Sequence, residues 1–265
     1  MYNGWIFVTF GRSFSKHLNN YPKQHRLKTQ TMEKSFLSKF IDEFSTDGRK
    51  NKSAVANGML LFFSLVTVFV IPICPIEYLK FLFASSVTGI VVFSVLSLKQ
   101  KNKFTRSFAV FSLMVIWCSY FVDTTLFRLG FRFINFFFFL FLVFSLIKQI
   151  SSIATVTFKV IVDSISGYLL LGFAFSLIVT VISVTIPGAY STSISGDLET
   201  KFIEPIQNNI YYAFMTFTTT GYGDIVPIHP FSKSLAVLIG VSGQLYVAVI
   251  ISMLVGKYAS TKKTE

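Results

Sequence analysis

The chain has 265 residues, of which 52% are hydrophobic and only 14% charged, with 32 phenylalanines and a mean hydropathy of +0.63. A soluble domain carries about 25% charged residues, and a soluble chain of this length cannot cover so much apolar surface. A cytosolic enzyme, a secreted disulfide scaffold, a disordered chain and a nucleic-acid-binding domain are therefore excluded, and a multispanning membrane protein is expected. The net charge of +12 is carried mostly between and outside the apolar runs, where Lys and Arg orient a chain against the cytoplasmic face.

Residues 1–53 are largely polar, and the first 31 hold Arg12, Lys16, Lys23, Arg26 and Lys28 without an acidic residue. A second methionine, Met32, opens a short amphipathic stretch and offers an alternative start; an intact mass that includes residues 1–31 would exclude it. Six apolar runs follow, at about 54–74 (ended by Pro72 and Pro75), 81–98, 108–127, 129–147, 165–186 (ended by Pro187) and 235–256. Each is long enough for one helical crossing of a hydrocarbon core of ~30 Å. Cys74 and Cys118 lie in or beside different runs and match no metal or redox spacing.

Six crossings place both termini on one side. The second-to-third connection carries Lys99, Lys101, Lys103 and Arg106, the fourth-to-fifth Lys148 and Lys159 against Asp163, and the tail Lys257, Lys262 and Lys263. The fifth-to-sixth connection instead holds Asp197, Glu199, Glu204 and Asp224 against Lys201 and Lys233. The positive-inside rule then makes both termini cytoplasmic. Arg128 is the one basic residue off this trend.

The fifth-to-sixth connection is the informative segment. Its stretch 208–227 reads NNIYYAFMTFTTTGYGDIVP. A short apolar helix over 210–217 is too short to span and breaks into Thr218-Thr219-Thr220-Gly221-Tyr222-Gly223-Asp224. Non-helical backbone at membrane depth is tolerated only where it is buried in protein or lines a water-filled path. Rings of backbone carbonyls can replace the hydration shell of a potassium ion. Pointing successive carbonyls one way needs dihedrals that glycine reaches with least strain, and Gly221 and Gly223 flank Tyr222. The Thr219 hydroxyl can add one more ring of oxygens. One chain supplies one strip, so a closed ring of four needs four chains.

TTTGYGD resembles the selectivity filter of potassium channels, whose common core is TVGYG. The resemblance covers about 165–258; the four preceding spans agree in number and order with six-span channels. It implies that Thr219, Thr220, Gly221, Tyr222 and Gly223 form the filter, with K+ held at Thr219 to Tyr222, and that Thr218, Asp224, Tyr211 and Tyr212 support it. Thr220 stands where Val is commonest, and Tyr222 points to potassium selectivity. Met215 stands where some members place a carboxylate behind the filter. Gly243, twenty residues after Gly223, falls where the family bends its inner helix; a packing role for Gly240 and Gly243 is equally open. Gln244 and Tyr246 are polar groups in the same span that either pair between subunits or face the cavity. His229 is a titratable group near the outer mouth.

The fourth span offers only Arg128 and Arg132, both near its outer end and within reach of Asp123. A voltage sensor needs several spaced charges, so weak or no voltage dependence is expected. With nine residues after Gly256, regulation by a ligand-binding domain is expected to come from a separate subunit.

The expected fold is an all-α membrane protein with six transmembrane helices and a re-entrant pore helix and filter between the fifth and sixth. Its layout is a basic cytoplasmic segment (1–53), a four-helix peripheral domain (54–147), an interfacial linker (148–164), a pore domain (165–258) and a short tail (259–265). The expected assembly is a homotetramer in lipid of the plasma (cell inner) membrane, passing K+ without a cofactor, enzymatic activity or nucleic acid. Two other readings are a potassium transporter subunit, which would usually carry four degenerate loops in one chain, and a non-conducting regulatory subunit.

Overall fold

The computed structural model describes residues 48–98, 103–121, 125–153, 156–192 and 206–261. The chain divides into two compact units, Met1–Asn51 and Lys52–Glu265; of the first, only the start of a helix is described. Asp123, Asp197, Glu199, Lys201 and Glu204, and the Met32 stretch, lie outside the described residues.

The described residues are almost entirely helical. Helix α1 is Gly48–Leu65, continued by a π-helical turn, Val66–Val70, and a 3-10 turn, Ile71–Ile73. The loosening has a local cause: Pro72 lacks an N–H, and its ring opposes the carbonyl four residues back. Cys74 is extended (φ −71°, ψ 142°), as a residue before proline prefers to be, and Pro75 caps α2, Ile76–Ser97. Helices α3 (Lys103–Phe121), α4 (Thr125–Ser152) and α5 (Phe158–Thr185) follow. Strand β1 (Tyr190–Thr192), helix α6 (Ile206–Phe217), strand β2 (Ile225–Pro227) and helix α7 (Pro230–Thr261) complete the order.

Among the described residues, five helical stretches are long and apolar enough to cross a membrane: Ala54–Ile73, Glu77–Ser97, Leu129–Ser152, Phe158–Thr185 and Pro230–Ala259. The expected third crossing is represented by a shorter apolar helix, Thr105–Cys118. Phe127, read with the third run, belongs to α4. The other runs keep their places but extend into the flanking polar residues. Lys148 lies in α4, and Lys159 and Asp163 lie in α5, so the fourth-to-fifth connection between these helices is short.

Aromatic rings fill the space between helices. Phe139 meets Phe173 edge-on at 5.1 Å, Phe108 meets Phe138 at 5.2 Å, and Phe63 stacks on Phe93 at 5.5 Å. Gly89 makes room for this stack, since a Cβ there would lie 2.6 Å from the Phe63 ring. Close packing of this kind replaces the hydrophobic drive that lipid cannot supply. Hydroxyls within the helices bond back to their own carbonyls, Ser64 to Leu60 and Thr180 to Ser176, which satisfies them without water.

Candidate functional site

Helix α6 is a 12-residue wedge between α5 and α7. Small residues on both neighbours create the slot. Opposite Gly172 of α5 lies the Phe214 ring, whose Cζ would be 2.7 Å from an added Cβ. On α7, a Cβ at Gly243 would collide with the Phe217 carbonyl oxygen, with the carbonyl carbon and ring Cδ2 both at 3.1 Å. Phe217 is fully buried, 4.7 Å from the Tyr168 ring and 6.0 Å from Phe175. The other end of α6 is tied to the first span, because Gln207 Nε2 donates to the Cys74 carbonyl at 3.1 Å.

The segment that follows α6 folds back on its carbonyls. Thr218 N donates to Phe214 O at 2.9 Å, Thr219 N to Thr216 O at 3.0 Å, and Gly221 N to Met215 O at 3.1 Å. This uses carbonyls that a helix C-terminus leaves without intrahelical partners. Thr219 (φ 60°), Gly221 (φ 55°) and Gly223 (φ 78°) all adopt positive φ. Two of the three are glycines, which enter this region at no steric cost. Thr219 is β-branched and held there against its preference. Its hydroxyl donates to Thr218 O at 2.6 Å and accepts from Gln244 Nε2 of α7 at 3.4 Å. The Thr218 and Thr220 hydroxyls pair at 2.9 Å. In one chain the whole strip Thr218–Gly223 is exposed, and Tyr222 is 71% exposed.

Tyr211 donates its hydroxyl to Asp224 Oδ2 at 2.6 Å, while Ile225 N donates to Asp224 Oδ1 at 3.0 Å. The Asp224 bond pushes the Tyr211 phenol up to about 12. Tyr212 does not join this contact. It is buried against Tyr190, with ring centroids at 4.9 Å. Burial, reinforced by Tyr212, also raises the Tyr190 phenol above its ordinary range. Strand β2 then pairs antiparallel with β1, Ser191 opposite Val226. The Ala189 carbonyl, after a turn with Gly188 at φ 74°, accepts from Ile228 N, His229 N and the Ser232 hydroxyl. His229 accepts from Phe231 N at 3.3 Å and stacks on its ring.

Of the ten residues singled out in the sequence, Thr218 to Asp224 form one strip, Tyr211 bonds to Asp224 at its end and Gly243 lies against the Phe217 carbonyl before its start, whereas Tyr212 packs on Tyr190 instead. Helix α7 runs without interruption through Gly240 and Gly243, and Gly243 is where α7 touches the α6 terminus. Within one chain Tyr246 is buried and donates to the Ser164 carbonyl at 2.8 Å, while Gln244 reaches Thr219. Sequence reading missed the Gln207–Cys74 tie and the Ala189 anchor, and no local pattern signals either.

Residues 168–259 match the family model for ion channels. No curated protein and no solved structure matches the chain. The matched segment contains α6, the strip and almost all of α7. Together with the five apolar helices, the match supports an ion channel of the multi-pass membrane class.

Proposed function

We propose that four copies of this chain form a potassium-selective channel, with Thr219, Thr220, Gly221, Tyr222 and Gly223 of each copy as its filter. The observation that carries this reading is the strip itself. A positive-φ backbone follows directly on a short buried helix, and its residues are exposed in a single chain. Partial burial supports the assembly. Helix α5 has 72% of its apolar window buried within the chain, α7 only 22%. Four strips around an axis would supply the carbonyl rings that replace water around K+, and the exposed sides of α7 would meet neighbouring copies. Asp224, held by Tyr211, would attract cations at the outer mouth.

Conduction is passive and weakly or not voltage-dependent. Beyond Arg132 the membrane part of α4 is mostly Phe, Leu and Ile and carries no charge before Lys148, with Asn135 turned to Ser112, whose hydroxyl donates to it at 2.7 Å. The expected setting is a plasma membrane with both termini cytoplasmic.

The reversal potential of the purified protein in planar bilayers, with potassium on one side and sodium on the other, tests this. A strongly potassium-favouring reversal is expected. A reversal near zero refutes selectivity, and a stable tetramer that never conducts favours a regulatory subunit.

A further inference from the structure

Asp163 is fully buried within the span Phe158–Thr185 and takes no part in the filter. Its two oxygens face two different peripheral helices. Asn57 Nδ2 of α1 donates to Oδ1, and Gln149 Nε2 of α4 donates to Oδ2 at 3.1 Å. Both amide side chains are themselves buried. The next residue belongs to the same junction, since the Ser164 carbonyl accepts the Tyr246 hydroxyl of α7. Helices α1, α4, α5 and α7 therefore meet at two consecutive residues. Helix α7 closes down again nearby, where Lys257 Nζ reaches the Ile150 and Ser151 carbonyls at the end of α4.

Taking a carboxylate out of water is expensive, and a well-packed apolar residue is commonly at least as stabilising. Stability alone therefore does not account for a carboxylate here. Hydrogen bonds do what apolar packing does less well: they fix direction. With an amide received on each oxygen, bond geometry ties the positions of α1 and α4 to α5. Tyr246 carries the same reference point to α7, the helix that lies against the filter base at Gly243. Packed interfaces of this kind switch between discrete arrangements rather than deforming continuously.

We infer that Asp163 is a gate-positioning residue. The Asn57–Asp163–Gln149 junction transmits the arrangement of the peripheral helices to α7 and so sets the open probability of the pore. This rests on the channel reading above.

Single-channel recording of Asn57→Ala, Gln149→Ala, Asp163→Asn, the Asn57→Ala/Asp163→Asn double variant and the reciprocal Asn57→Asp/Asp163→Asn pair tests it. The single variants should change open probability in one direction by about 5- to 150-fold, the range of ordinary coupling between sites. Unitary conductance and reversal potential should stay at the wild-type values, which a general loosening of the fold would not respect. The effects should be non-additive, with Asn57→Ala adding little once Asp163→Asn is present, and the reciprocal pair should recover part of the change. Wild-type open probability in intact Asn57→Ala and Gln149→Ala tetramers overturns the inference, as do additive shifts. If Asp163→Asn fails to assemble, those two variants decide alone. A wild-type chain that passes no ion overturns the channel reading and this inference with it; a conducting wild type with unmoved variants overturns the inference only.

Discussion

Gly240 and Gly243 stand three residues apart in α7, and the structure gives them opposite tolerances. Alanine at either position gains helix propensity of up to ~1 kcal/mol. At 240 the new methyl would meet, within its own chain, only the Thr216 carbonyl oxygen at 3.8 Å, an ordinary contact. At 243 it would collide with the Phe217 carbonyl, and neither neighbour can yield easily. Phe217 is fully buried, and its carbonyl is two residues from Thr219. Relief needs a displacement on the order of 1 Å, and overpacking of this kind costs about 1–3 kcal/mol. The helix term cancels between the two variants, so Gly243→Ala should be less stable than Gly240→Ala by about 1–3 kcal/mol per chain. Chemical unfolding of the assembly in detergent micelles measures this, and reversal potentials report whether the shift reaches the filter. Gly243→Ala should also lose selectivity; Gly240→Ala should not. Equal stability of the two variants, with intact selectivity and only a changed open probability in Gly243→Ala, would refute the packing argument in favour of a hinge.

Four further substitutions have expected outcomes. Tyr211→Phe removes the bond to Asp224 and should shorten the time that current is sustained after opening, read from macroscopic decay. The Tyr211 phenol is raised, so its bonded, protonated form is complete below pH 10 and lost as pH rises through about 12; decay in the wild type should therefore not change between pH 6 and 9 through this residue. Asp224→Asn should lower unitary conductance at low ionic strength and recover in high salt, because the field this half-buried carboxylate casts into solution is screened over ~10 Å at 0.1 M; an equal deficit at both strengths would contradict a cation-attracting role. Gly223→Ala forces a side chain into φ 78°, at about 1–2 kcal/mol per chain, and should abolish potassium preference in reversal potentials. Arg132→Gln should leave the slope of the conductance–voltage relation unchanged; a shallower slope would show that this charge moves through the field.

The strip and its helix were legible in the sequence because their chemistry is local. Glycines two apart after an aromatic helix specify backbone geometry without reference to the rest of the chain. The apolar runs were legible for the same reason, although their starts were read four to seven residues late, as for 165–186 against Phe158–Thr185, and the third ran six residues past the end of Lys103–Phe121. Charge was the misleading cue there. Asp163 reads as a loop residue because a lone carboxylate in a span is costly, yet it is received by Asn57, 106 residues away, and Gln149, 14 residues away. Nothing at either position announces the pairing. Tyr211 and Tyr212 show the same limit on a smaller scale. Adjacent residues on a helix point in different directions, so one meets Asp224 and the other Tyr190. Which partner each would take depended on where β1 passes, and that is fixed by the Ala189 anchor far upstream.

The uneven burial of the two long helices around α6 also bears on how the protein holds together. Helix α5 is mostly covered by its own chain, whereas α7 and the strip are largely uncovered in a single copy, and the proposed tetramer would cover them. In the tetramer proposed above, packing within one chain would be a property of one molecule, whereas stability of the strip 218–223 would be tied by mass action to how many copies share a membrane. Dilution into excess lipid should loosen residues 218–223 and α7 first while α2, α4 and α5 stay packed. The same dependence would let another chain with a matching inner helix compete for the place of a fourth copy.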